Sequence, residues 1–231
     1  GRFGRFFAHA LKKHARVGVV DVRRILAIEH GVECISLAEA AERELIFLAV
    51  PVRSLQSVLK ALAPVLKRGT IVADLCAVKE EPLAWMRAIL PTKVSFLGTH
   101  PLFGPDSAGG TLGGSSIVLC PGRISAARLR TVRRFLSRLG LTSHRMTPAA
   151  HDRQIASTLF LTQLLGRSLP RLSVPQPATP NAQALRRIID SSARDSRELF
   201  EDLFLYNRHA QKIPARLIEE LQRTFNRIPH R

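Results

Sequence analysis

At 231 residues with a 45% apolar fraction, the chain is long enough for one large or two modest domains and apolar enough to bury a core, which excludes disorder for most of its length. No run of about 18 apolar residues occurs, and residues 1–11 lack the charge layout and cleavage site of a signal peptide, so a soluble protein without a membrane partner is expected. The formal charge of +17 fits a nucleic-acid binder, but the arginines are dispersed, in pairs such as Arg23-Arg24, Arg133-Arg134 and Arg186-Arg187, with one Trp and one Tyr for base stacking. Such a field serves a phosphate-bearing cofactor and an anionic substrate equally well, and a nucleic-acid partner is the weaker expectation.

In chain order, residues 5–14 have the periodicity of an amphipathic helix, and 16–21 (RVGVVD) those of a short strand ending in an acid. Residues 45–50 (LIFLAV) form the next strand. Leu55, Val58, Leu59, Leu62 and Val65 follow at helical spacing, with Ser54 as the expected N-cap and Gly69 at the helix end. Residues 70–75 (TIVADL) are a further strand, 80–90 a helix, and 94–97 a strand. A glycine-rich loop (100–114) then leads to a strand at 116–120, a helix carrying Leu129, Val132, Leu136 and Leu139, and an edge strand at 141–146. Alternation of this kind predicts a parallel sheet covered on both faces, an α/β Rossmann-type doubly wound fold.

From about Thr147 the β-branched runs stop, and helices are expected at about 150–171, 180–206 and 209–227, interrupted by the proline-rich stretch 173–180. The expected domains are therefore 1–147, a dinucleotide-binding domain, and 148–231, an all-helical domain for substrate and dimerisation. Long helices with one apolar face predict a homodimer through the second domain. Cys34, Cys76 and Cys120 have no C-x-x-C spacing or histidine cluster, so reduced thiols and no metal site are expected.

Gly1-Arg2-Phe3-Gly4 opens directly into a helix, and Asp21 closes the following strand twenty positions after Gly1. In a G-x-G-x-x-G unit the glycines admit the pyrophosphate to the helix N-terminus, and the acid receives the adenosine ribose hydroxyls. Gly1, Phe3, Gly4 and Asp21 are thus cofactor-binding candidates, with the first glycine and first strand of the unit expected to be missing ahead of Gly1. The Asp21 carboxylate would repel a 2′-phosphate, which favours NAD over NADP, although Arg23 and Arg24 keep NADP open. Ala49, Val50, Pro51 and Ala77, at the carboxyl ends of their strands, extend the expected cofactor edge.

Five segments carry a family resemblance: LAVPV at 48–52, DLCAVKEEP at 74–82, THPLFGPDS at 99–107, HDRQIASTLFLTQLLGRSL at 151–169 and ARDSRELFEDLFLYNRHA at 193–210. Over essentially its full length the chain resembles the prephenate/arogenate dehydrogenases, particularly the plant-type arogenate branch. The resemblance implies NAD(P)-linked oxidative decarboxylation of arogenate or prephenate in tyrosine biosynthesis, in the cytoplasm, or in the plastid of a photosynthetic eukaryote. It makes His100 the group that accepts the proton of the ring hydroxyl, which requires a neutral imidazole poised near the operating pH. It also makes Lys79, Asp106, Ser107, Gln163 and Arg194 substrate-binding candidates, Arg194 because it lies within ARDS and suits bidentate contact with a carboxylate. His151-Asp152 resembles the family's helix-opening pair, with a capping and interdomain role. Ala77 replaces a serine common in the family, and Gln163 a histidine, so a catalytically impaired or inactive dimeric member is the alternative reading.

Overall fold

The structure, a computed structural model, describes residues 1–21, 32–170 and 179–229. Arg23, Arg24 and most of the proline-rich stretch lie outside the described residues. Two compact units are present, Gly1–His151 and Asp152–Arg231.

In the first unit α1 (Arg2–Leu11) is followed by β1 (Gly18–Val19), β2 (Glu33–Cys34) and α2 (Leu37–Ala41). Helix α2 opens on a capping box in which Ser36 accepts from the Glu39 amide and the Glu39 carboxylate accepts from the Ser36 amide, satisfying two otherwise open donors. Then come β3 (Leu45–Leu48), α3 (Val52–Leu62), β4 (Ile71–Asp74), α4 (Glu80–Ile89), β5 (Ser95–Pro101), β6 (Ser116–Pro121), α5 (Ala126–Arg138) and β7 (Thr142–Arg145). Strands β1 and β2 pair in parallel as a two-stranded sheet; the other five form a second sheet in the order β3-β4-β5-β6-β7. All its neighbours are parallel except β5 and β6, so the expected parallel sheet carries one antiparallel pair. The connection from β5 to β6 carries no helix among the described residues, and without a crossover the chain can only return antiparallel.

Strand β4 is buried throughout, as its unbroken IVAD run requires of a central strand. Around it Ile71, Leu97, Ile117 and Leu119 pack with Phe7 and Leu11 of α1 and with Val132 and Leu136 of α5. Gly98 turns the other way, where an added Cβ would lie 3.0 Å from Leu83 of α4. The flanking helices and the parallel core give the unit a Rossmann-like, nucleotide-binding architecture.

Three local expectations change. Ser54 lies inside α3, whose N-cap is Pro51; proline's fixed φ, here −54°, sets the helix entry so that Val52 is already helical and buried. The helix stops at Leu62, and Gly69 instead holds a turn at φ +93° before β4. His100 is not in the glycine-rich loop, because β5 continues through Pro101.

The second unit contains the end of α6 (Pro148–Ile155), a π-helical turn (Ala156–Phe160), α7 (Leu161–Ser168), α8 (Pro180–Arg194), α9 (Arg197–Leu205), a 3₁₀ turn (Ala210–Lys212) and α10 (Ile213–Phe225). The expected helix at 180–206 is two helices: Asp195 leaves helical geometry at ψ 145°, and Ser196 caps α9 by accepting from the Leu199 amide. Gly166 lets α7 approach α8, since a Cβ there would fall 2.1 Å from Ser192 Oγ. Phe160 stacks on Phe200 at 5.5 Å between ring centres. Among the described residues no helix is long and apolar enough to cross a membrane.

Candidate active site

The register of the central strands brings three of the singled-out segments to one edge. Leu48 pairs with Asp74 and Asp74 with Gly98, so Ala49-Val50-Pro51, Leu75 to Lys79, and Thr99-His100 all emerge at the carboxyl ends of adjacent strands. Ligands of open α/β sheets bind at that edge. Ala49 and Pro51 are exposed there, Val50 and Ala77 partly so, and the Val50 carbonyl accepts from Cys76 Sγ at 3.8 Å.

The glycine segment meets the same edge. An added Cβ on Gly4 would lie 3.2 Å from that of Ala49, so Gly4 allows α1 to approach β3 closely. Gly1 is the N-cap residue of α1 and faces open space; the first turn carries no acidic residue and Gly1 gives no side-chain cap, so the positive dipole end of the helix lies at the glycine turn. Gly1 N is 3.7 Å from Asp21 Oδ2, so the glycine turn and the acid after β1 are adjacent. Phe3 belongs to an aromatic group with Phe7 and Phe103, at ring distances of 5.7 and 5.9 Å. Asp106 pairs with Arg2 at 2.7 Å, joining the loop after β5 to the start of α1. Ser107 closes a turn of that loop, its hydroxyl accepting from the Gly104 amide at 2.9 Å.

His100 is held by the β5–β6 ladder opposite Val118 and is 7% exposed. Its Nδ1 lies 2.9 Å from His151 Nε2, with the two rings at 77°. Burial, with smaller contributions from His151 and the Lys79 ammonium, lowers its pKa well below the ordinary histidine value. The imidazole is therefore neutral at physiological pH, as a proton acceptor must be, but its pKa is not near 7 as the sequence reading expected.

Lys79 is not available to a substrate carboxylate. Its side chain is fully buried, pairs with Asp74 Oδ1, and donates to the Thr99 carbonyl at 2.7 Å. Asp74 also accepts from the Cys76 amide at 3.0 Å, while its Oδ2 has no hydrogen-bond partner. Burial raises the Asp74 pKa, with Lys79 and the Cys76 amide opposing. This pair ties the turn after β4 to β5 directly before His100. The lysine could not be distinguished from a surface charge in the sequence, because a motif shows neighbours along the chain and not the strand lying beneath.

Within the second unit, Gln163 is buried and donates to Asp195 Oδ2 at 2.5 Å while accepting from Arg167 Nε at 3.2 Å. Arg167, which the sequence reading did not single out, also donates to the carbonyls of Asp195 and Ser196 and lies 5.3 Å over the Phe200 ring. Its spacing of four from Gln163 was the available signal. Arg194 is exposed in the last turn of α8. Among the described residues no group of three or more His, Cys, Asp or Glu could hold a metal ion, and the three cysteines are free thiols.

Comparison with known proteins agrees with this geometry. Residues 8–144, more than half of the chain, match the family model described as prephenate dehydrogenase, nucleotide-binding domain. The chain is 29% identical to arogenate dehydrogenase 1, chloroplastic, of Arabidopsis thaliana over 227 residues, covering 92% of this chain and 35% of that protein. It is also 29% identical to the chloroplastic arogenate dehydrogenase 2 of the same plant, covering 96% of this chain and 64% of that one, so it spans less than two thirds of either relative. In fold it is similar to the crystal structure of prephenate dehydrogenase from A. aeolicus in complex with hydroxyphenyl propionate and NAD+, with a TM-score of 0.77 at 21% identity, over 96% of this chain and 85% of that one. On the family match, carried by the unit that holds the glycine turn, Asp21 and His100, the chain belongs to the prephenate/arogenate dehydrogenase family.

Proposed function

We propose that the chain catalyses the NAD(P)-linked oxidative decarboxylation of arogenate or prephenate, with His100 as the base. The observation that carries the reading is a buried, neutral imidazole at the carboxyl end of β5, on the same sheet edge as the segments that follow β3 and β4. Gly1, Phe3, Gly4 and Asp21, together with Ala49, Val50, Pro51 and Ala77, are the residues assigned to the dinucleotide. The amides at the start of α1 and the neighbouring Asp21 suit a pyrophosphate and a ribose diol respectively, and Asp21 favours NAD.

The nicotinamide, when bound, supplies the acceptor for the hydride that leaves the ring carbon bearing the hydroxyl. His100 takes the hydroxyl proton as that bond breaks. The ring carboxylate then departs as carbon dioxide, its electron pair completes the aromatic ring, and the imidazolium returns its proton to the phenolate oxygen. Ala77 cannot hydrogen-bond the hydroxyl as the family serine would, which removes a contact worth about 0.5–1.5 kcal/mol and lowers the rate without abolishing the route. Asp106, Ser107, Gln163 and Arg194 remain assigned to the substrate side, the first three through the hydrogen bonds that order their surroundings.

A homodimer through the helical unit is part of the same proposal, supported by Ile218, Leu221, Phe225 and Ile228, which are all more than half exposed at helical spacing on and just after α10. The test is reduced-cofactor absorbance with arogenate and prephenate, each with NAD and NADP, for the chain and for His100→Ala. The expected result is turnover that falls by about 10²–10⁴ in the variant, the range of a positioned acid or base. A variant as active as the parent removes the assignment.

A further inference from the structure

The contact between His100 and His151 does more than the capping and interdomain role expected of the His151-Asp152 pair. His151 stands in the first turns of α6, where its amide donates to the Thr147 carbonyl at 3.0 Å and the Thr147 hydroxyl accepts from the Ala150 amide at 3.2 Å. These bonds fix the helix start, and with it the place from which the His151 ring reaches across 51 residues of sequence to Nδ1 of His100. Both rings are nearly excluded from solvent, at 7% and 1% exposure.

Ring nitrogens 2.9 Å apart hydrogen-bond through one proton, so one imidazole is donor and the other acceptor. If His151 Nε2 donates, His100 Nδ1 holds a lone pair on that side and its proton sits on Nε2, where it blocks proton acceptance from a substrate. If His100 Nδ1 donates, Nε2 carries the lone pair and can act as the base. We infer that His151 is a positioning residue that accepts from Nδ1–H of His100, fixing both the ring orientation and the tautomer in which Nε2 is basic. When His100 takes the substrate proton on Nε2, the Nδ1–H bond to His151 is kept and becomes charge-assisted, so the ring does not turn as the proton arrives. The His151 ring thus takes the orienting and tautomer-setting part that a carboxylate plays behind the histidine of a serine-protease triad.

The inference rests on the proposed role of His100, and the experiment separates the two. Two-bond proton–nitrogen spectra of the uniformly ¹⁵N-labelled chain report which nitrogen of each neutral histidine is protonated, with His100 assigned by comparison with His100→Gln; no substrate or cofactor is needed. The expected result is a single Nδ1–H form of His100, retained in His151→Gln, whose amide oxygen also accepts, and replaced by averaged tautomers in His151→Phe. An Nε2–H form in the parent chain, or an unchanged tautomer in His151→Phe, overturns the inference. In turnover, His151→Phe is expected to lose about tenfold or more in kcat with KM unchanged, and His151→Gln to regain most of it. Full activity in His151→Phe also overturns it. Absence of turnover in every variant and in the parent counts against the proposed function, and the nitrogen spectra then decide the histidine pair alone.

Discussion

Strand β4 and helix α10 stand at opposite extremes of burial: every residue of the strand is buried and none of the helix is. Both are strongly patterned, but only the strand's apolar run is satisfied within the described chain. The difference separates two kinds of sequence information. A continuous apolar run in a parallel sheet specifies where a residue lies, because register ties each position to its neighbours. An amphipathic stripe specifies only that something covers it.

The largest expected effect tests the buried end of this comparison. Lys79→Met leaves the Asp74 carboxyl in the core without its charge partner, and urea denaturation should show a loss of about 3–5 kcal/mol, most of it recovered in Asp74→Leu/Lys79→Met. A variant of full stability and raised KM would instead return Lys79 to the substrate. Within the helical unit, Gly166→Ala drives a methyl group into Ser192 and should cost about 1–3 kcal/mol by the same assay.

The pH dependence of stability should follow from His100. Its folded pKa is lowered, so between that value and the ordinary histidine value of about 6.5 the unfolded chain binds the extra proton. The stabilisation is present above about pH 6.5 and is lost as the pH falls through the folded value, at up to about 1.4 kcal/mol per pH unit. His100→Gln should flatten that slope; an unchanged slope in denaturation midpoints from pH 7 to 5 would remove His100 as its source. The smallest stability effect is expected at α10, where Leu221→Glu should move unfolding by no more than about 0.5 kcal/mol. Sedimentation should nevertheless show a shift from dimer to monomer, and an unchanged species would separate the exposed stripe from self-association.

Much of the sheet was legible because strand and helix periods differ and Gly, Pro and Ser punctuate them. Strands β3, β4, β6 and β7 and helices α3, α4 and α5 lie where the alternation put them, within a few residues. Pairing direction was not legible, since the glycine-rich stretch between β5 and β6 does not encode whether the chain crosses over or turns back. Helix α2 was readable and missed: SLAE at 36–39 is a capping-box sequence. The break at Asp195-Ser196 was hidden because both residues are also tolerated within helices, and the cap becomes visible only once Ser196 is seen to accept from Leu199. At the site, the sequence identified His100 by its motif but not its partner. His151 was singled out for a different reason, and only the folded chain brings ring nitrogens from two motifs 51 residues apart to 2.9 Å of each other.

Strand β5 runs three residues beyond the last rung it shares with β4, and those residues pair with β6 instead. Position 100 is consequently a rung of a ladder and not the tip of a loop, so its backbone freedom is lost once, when the chain folds, and is not lost again each time a ligand arrives. Its amide should rank with the core strands in hydrogen exchange, while adaptation to ligands of different shape falls to the glycine-bearing loop that follows.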